Sequence, residues 1–457
     1  MKSTFNLLFT VLALLIVTSC SDDDNNNPTP QSNTIVDLAT ATDDLSSLVA
    51  ALDRAGLTAT LDGTTEFTVF APTNAAFSAF LSANGFADLN AVPVDVLTQV
   101  LLNHVVSGEA MSTSLSTGYV NSLATRSSGE NLSLFINTSS GVTINGISDV
   151  AIADIDASNG VVHVVDAVIG LPTIVDHAVA NPNLSDLVGA LTAGGNTTFT
   201  DLLSIPGDYT VFAPDNTAFG NFTNPNGNDI NAVLANHVII GATALSSGLS
   251  NMYVNTAATF NGTVDTFLSM YINVDSGVTI NGTTNVSAAD IVATNGVIHV
   301  VDQVIDLPTI VDFALADPTF ETLVTALTRP DLTFNYVTTL STPNGTDPAP
   351  FTVFAPTNDA FGDLLTELSI SGLGDIDEPT LKATLDHHAV AGLNVRSSGL
   401  SDGMTVPTLG GDITANVTGG PTLTDANGRV SNIIAFDVQA ANGVVHVIDK
   451  VVLPPLP

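Results

Sequence analysis

Beyond the first thirty residues the apolar positions fall into two alternating periods. Over 34–52 (TIVDLATATDDLSSLVAAL) Ile35, Leu38, Leu45, Leu48, Val49 and Leu52 recur at three- and four-residue spacing. That spacing predicts amphipathic helix, interrupted once near the Thr-Asp-Asp. Asp43, and Ser185 in the matching stretch 173–191, stand where they could cap a second helix after the break. The segment TVFAPTNAAF (68–77) then reads as β-branched and aromatic strand stopped by Pro72, with Thr73 placed to cap a following helix. A further helix ends in LLNHVVSG (101–108), and short Thr, Val and Ile runs follow it, punctuated by turns such as TING (143–146). The series closes on ASNGVVHVVDAVI (157–169), an Asn-Gly turn leading into a valine-rich strand. Helices early and strands late predict an α+β fold.

This series occurs three times. TVFAPTNAAF returns as TVFAPDNTAF (210–219) and TVFAPTNDAF (352–361), each 142 residues after the last. The helix end returns as VLANHVIIG (233–241) and TLDHHAVAG (384–392), and the last strand as ATNGVIHVVDQVI (293–305) and AANGVVHVIDKVV (440–452). Boundaries placed at the Leu-Pro junctions give domains at 34–171, 172–307 and 308–457. The junctions GLPTIVD and DLPTIVD leave almost no linker, which predicts a stiff tandem array.

The ordered trio of strand corner, helix-ending NHVV.G and terminal NGVVHVVD.V resembles the fasciclin domain, in three copies covering about 34–453. The resemblance implies a β-sandwich-like wedge with helices packed on one side in each copy. It also implies adhesion and extracellular interaction in place of catalysis. In animal fasciclin domains the helix end carries a Tyr-His pair implicated in receptor binding. Here the residue before the histidine is Asn103, Asn236 or His387. What carries over is a candidate interaction region at Asn103, His104, Asn236, His237, His387 and His388.

Six of the eight histidines occupy repeat-equivalent places: His104, His237 and His388 on the helix end, His163, His299 and His446 on the last strand. Asp166, three residues beyond His163, suggests a ligand pair. In a strand, however, the two side chains point to opposite faces, so the expectation is partly buried histidines bonded to backbone. DIDASNG (154–160) alternates oxygen ligands like a calcium loop, but its glycine is one place late and no acid stands at the twelfth position. The middle acid is lost in DIVATNG and DVQAANG, so a turn is expected, with no metal site, catalytic residue or cofactor. Met252, Tyr253, Met270 and Tyr271 look exposed and specific to the second copy.

Charge narrows the partners. Acids number 45 against 8 bases, for a net charge of −37, and 39 of the acids are Asp. With no basic stripe, nucleic acid and anionic lipid surfaces are poor partners. The acid excess leaves room for weak, diffuse binding of divalent cations and for salt-dependent self-association.

The single cysteine, Cys20, excludes an intramolecular disulfide. Lys2, the apolar LLFTVLALLIV (7–17) and VTSC (17–20) resemble a signal peptide with a bacterial lipobox, so 1–20 is expected to be a signal and Cys20 its lipidation site. SDDDNNNPTPQSN (21–33) is expected to be an acidic flexible tether, and it is similar to the surface-export signal of Bacteroidetes lipoproteins. The sequence thus predicts an outer membrane lipoprotein exposed at the cell surface. Its expected partners are a cell-surface or matrix protein or a polysaccharide. The rival readings are a glycan- or small-ligand-capturing module and, less favoured, an enzyme.

Overall fold

A computed structural model describes residues 33–455. The expected signal, Cys20 and all of the tether but Asn33 lie outside the described residues.

The first domain opens with α1 (Ile35–Ala41), started by a capping box in which Thr34 and Asp37 exchange bonds. A single helical turn at the predicted break leads into α2 (Ser46–Ala55), then α3 (Thr58–Leu61). The cap of α2 comes from neither Asp43 nor Leu45. It is supplied across the fold by Asn74 of the strand–helix corner, whose Oδ1 accepts from Ser47 N at 2.8 Å while its Nδ2 donates to Asp43 O at 3.0 Å. Asn216 and Asn358 make the same two bonds in the other copies, with Asp186 N and Pro182 O and with Thr322 N and Pro318 O. The invariant Asn of the repeated decapeptide is therefore a remote helix cap, which also explains why Ser185 is not needed as one.

Strand β1 (Phe67–Pro72) runs into α4 (Asn74–Ala83), capped by Thr73 as expected. After α5 (Val94–Leu102) come β2 (Val105–Ser107), β3 (Gly118–Thr125), β4 (Asn131–Asn137), β5 (Thr143–Ile144), β6 (Ser148–Ala157) and β7 (Gly160–Val165). The seven strands close in sequence order, with β7 parallel to β1 and every other pair antiparallel. The other two domains keep this order in seven-stranded sheets. In β6 two register shifts bend the strand from one sheet to the other. The bend centres on Asp154, with φ of 62°, and Asp290 and Asp437 repeat it.

Alternation along β1 divides the interior in two. Phe67, Val69 and Ala71 face the helices, while Phe70 points between the two sheets with Leu134, Ile136 and Ile144. The helical expectation for the early segments and the strand expectation for the late ones both hold, as does the α+β class.

Each domain joint repeats one set of contacts. Tyr119 of β3 lies against Phe135 and edge-on to His177 at 5.6 Å, and the second joint places Tyr253 against Tyr271 and edge-on to Phe313 at 5.4 Å. Ser133 Oγ accepts from Val292 N, and Ser269 Oγ from Gln439 N, each at 3.0 Å. Tyr253 also donates to Asp317 Oδ2 at 3.0 Å. The sequence expectation of an exposed second-copy cluster is thus corrected. Met270 lies between the sheets, Tyr271 is buried at the joint, Tyr253 is half-buried there, and only Met252 is exposed. Tyr253→Ala removes two ring contacts and the bond to Asp317, so it should weaken the coupling of domains two and three by about 2 kcal/mol. Calorimetry should then resolve their unfolding into separate transitions. A melting profile identical to that of the parent would refute a mechanical role for the tyrosine.

Candidate interaction sites

At the end of α5 the chain leaves the helix through Asn103 and His104. Nδ1 of His104 donates to Val100 O at 2.7 Å, and Nε2 accepts from Ile169 N at 2.8 Å, just before the linker. The two bonds fix the neutral tautomer protonated on Nδ1. His237 repeats this with Val233 O and Ile305 N, and His388 with Thr384 O and Val452 N. Burial away from water holds all three well below the usual histidine value, at about 4, the backbone bond opposing the shift only in part.

The neighbouring Asn103 donates to Gly170 O at 2.8 Å and accepts from Ser122 Oγ; Asn236 likewise donates to Asp306 O at 3.0 Å and accepts from Thr256 Oγ1. Both amides therefore pin the first residues of the linker to the next domain. In the third copy His387 donates instead to Ala383 O, and its ring lies so close to Gly410 that a Cβ there would meet Nδ1 at 2.1 Å.

The structure places all six residues of the sequence-derived interaction region in the interior, none more than 3% exposed. Their hydrogen bonds go to the chain's own backbone and, for Asn103 and Asn236, also to the Ser122 and Thr256 hydroxyls. The side chains themselves are therefore shielded from solvent, and in the first two copies the asparagine holds the linker.

The strand histidines form a second, separate set. Nε2 of His163 donates to Ala110 O at 2.9 Å, and Nδ1 accepts from Asp154 N at 3.2 Å, with the ring stacked on Phe70. His299 and His446 repeat the arrangement on Phe212 and Phe354. The carboxylate of Asp154 turns away to accept from both Ser112 N and Ser112 Oγ, as Asp290 does from Ser246 and Asp437 from Ser397. Asp166 is not a partner of His163: its Oδ1 accepts from Asp149 N at 2.8 Å. The calcium-like alternation at 154–160 is thus a strand bulge and its following turn. Among the described residues no group of three or more His, Cys, Asp or Glu is placed to hold a metal ion. No described helix is long and apolar enough to cross a membrane.

What the sequence did not reveal is the job of its Asn-Gly dipeptides. Asn159 Oδ1 accepts from Ile35 N at 2.9 Å, and Nδ2 donates to Leu61 O and Gly63 O. Asn295 and Asn442 make the same three bonds. Each amide thus ties the start of its domain to the turn before the last strand.

The fasciclin-domain family model matches residues 43–172, 182–308 and 318–454. The chain belongs to the fasciclin family. Its fasciclin repeats are 39% identical over 141 residues to protein sll1483 of Synechocystis, covering 31% of this chain and 75% of that one. They are 26% identical to human periostin over 92% of this chain, and 28% identical over 87% to the pig transforming growth factor-beta-induced protein ig-h3. The chain spans about half the length of these two animal relatives, 47% and 54% respectively. A solved fasciclin domain pair from the insect cell adhesion molecule fasciclin I aligns over 56% of the chain and 92% of its own, at 20% identity and a TM-score of 0.34.

Proposed function

We propose that this protein is a surface-anchored adhesin that attaches cells to one another, to matrix or to polysaccharide through its three fasciclin domains. The fasciclin family is associated with cell adhesion. The observation that carries the reading is the joint. Two equivalent tyrosine-centred contacts and two linker-pinning asparagines hold three modules in a fixed relation. Modules of modest affinity, held rigidly, engage a repetitive partner with high effective concentration and little loss of entropy.

The repeated histidines do not argue for catalysis, because each of them bonds backbone inside its own domain. Lipidation at Cys20 would place the array at the outer face of the membrane, with 21–33 as the leash. The net charge of −37 would keep neighbouring arrays apart until salt or divalent cations screen it. Beads coated with the full chain should therefore clump or bind cells when calcium or magnesium is present and release on chelation. Beads that stay dispersed in every buffer and ignore cells would refute adhesion.

A further inference from the structure

The second domain is shorter than its neighbours at one place. From the corner phenylalanine to the helix-end histidine there are 27 positions between Phe77 and His104 and between Phe361 and His388, but 18 between Phe219 and His237. The structure shows where the missing nine residues would be. The helix after the corner has 6 residues (Asn216–Asn221), against 10 in the first domain and 11 in the third. The helix bearing the Asn-His end (Ile230–Ala235) also has 6, against 9 in each neighbour. This truncation lies directly beside the linker to the third domain.

A groove lies where the two shortened helices face the linker. One lobe, of about 630 Å³, lies between the 221–226 loop, the 281–284 turn and the linker. The other, of about 620 Å³, continues past the linker to Asn344 of the third domain. The two lobes share Asn226, Leu307 and Thr309, so they form one trough across the joint. Each is the size of an ordinary ligand cleft.

Its chemistry is narrow. Neither lobe is lined by Lys, Arg or His, while Asp302, Asp306 and Asp312 stand in the first and Asp229 in the second. An anionic ligand would be repelled. The unengaged groups are amides: the side chains of Asn221 and Asn226 make no hydrogen bond, and Gln303 uses only its Nε2, toward Thr283 O. Asn344 Nδ2 is buried without a partner, which is costly for a donor unless something outside the chain accepts from it. An amide offers donor and acceptor together, as does each hydroxyl of a sugar. The half-buried Phe222 adds an apolar ring on the same wall.

We propose that this trough binds a neutral, hydroxyl-rich oligosaccharide lying across the linker between the second and third domains. The inference rests on the adhesion reading only in naming one class of its partners, and it is read out by binding in solution. The full chain should be titrated calorimetrically with neutral hexasaccharides of β-1,4-glucan, α-1,4-glucan, xylan and mannan, and with an oligogalacturonate as the anionic control. At least one neutral sugar should bind and the oligogalacturonate should not. Thr283→Trp, at an exposed position on the wall, should abolish binding with melting temperature unchanged, and Gln303→Ala should weaken it about fivefold. Absence of binding by every neutral sugar would overturn the proposal. So would unchanged affinity in both variants, or binding of the anionic control alone. Bead adhesion of the same Thr283→Trp chain is scored separately, so a failure of the groove leaves the adhesion result standing on its own.

Discussion

Acidification from about pH 7 to pH 4.5 should destabilise the second domain more than either neighbour. Its His177 and His237 are both held at about 4 by burial, and burial also lowers His299. The first domain has His104 at about 4, and the third has His388 at about 4 with His446 lowered. A histidine whose folded value lies below its unfolded value near 6.5 stabilises the fold fully above that value. The contribution is lost as pH falls from 6.5 toward 4, because the unfolded chain binds the proton first. Each shift from 6.5 to 4 makes roughly 2–3 kcal/mol available for loss by pH 4.5. The depressed carboxylates of Asp154 and Asp402 act in a lower window, since their stabilisation is lost as pH falls from the ordinary carboxylate value toward their lower folded ones.

Hydrogen exchange read by peptide at both pH values would follow the three domains separately. Protection should fall first over 173–305. Two substitutions separate the histidines from a general acid effect. His177 has a buried Nδ1 with no partner, and the third domain carries Phe313 at the same place. His177→Phe should therefore flatten the acid limb and leave stability at neutral pH equal or higher. His237→Gln should lower stability at pH 7, because Ile305 N loses its acceptor, yet also reduce the pH slope. If the second domain is no more acid-labile than the first, buried neutral histidines are not what sets the profile.

The legibility of this fold divides by the distance over which each contact acts. Thr73 as a cap, Pro72 as a strand stop and the three-four spacing from Ile35 to Leu52 are local, so the sequence displays them directly. Asn74 is adjacent to Thr73, yet its partner Ser47 is 27 residues away, and nothing in the decapeptide reveals it. The same distance hides Asn159, whose bond to Leu61 O spans 98 residues. Tyr271 looked exposed in the sequence, whereas it lies against Tyr253 of its own domain, and Phe313 of the next domain packs edge-on to that tyrosine. The candidate region at Asn103–His104 and its repeats was visible as a pattern, and the structure adds that these residues are buried and, in the first two copies, bonded to the linker. Conversely, the shortened stretch between Phe219 and His237 is plain in the letters. It acquires meaning only once the linker is seen to run beside it.

The dipeptide Asn295-Gly296 offers the most severe single-site test of the architecture. Gly296 has φ of 157°, and a Cβ built there would lie 2.2 Å from Tyr209 O and 2.9 Å from Ile174 Cδ1. The last strand starts against the first residue of its parallel neighbour, Tyr209, so the backbone carbonyl cannot retreat without opening the pairing of Gly296 with Tyr209. Gly296→Ala should cost more than about 4 kcal/mol, beyond the ordinary range for one methyl group. Asn295→Ala leaves Ile174 N, Leu203 O and Ile205 O without their partner, three groups at about 1 kcal/mol or more each. Both changes should unfold the second domain at temperatures where the first and third remain folded, since Gly160 and Gly443 hold those domains by their own equivalent contacts. Limited proteolysis should then cut within 173–305 and release the flanking domains intact. Cleavage spread evenly over all three would mean that the joints couple the domains more strongly than each core holds itself. In that case the array, and not the single fasciclin domain, would be the unit that folds.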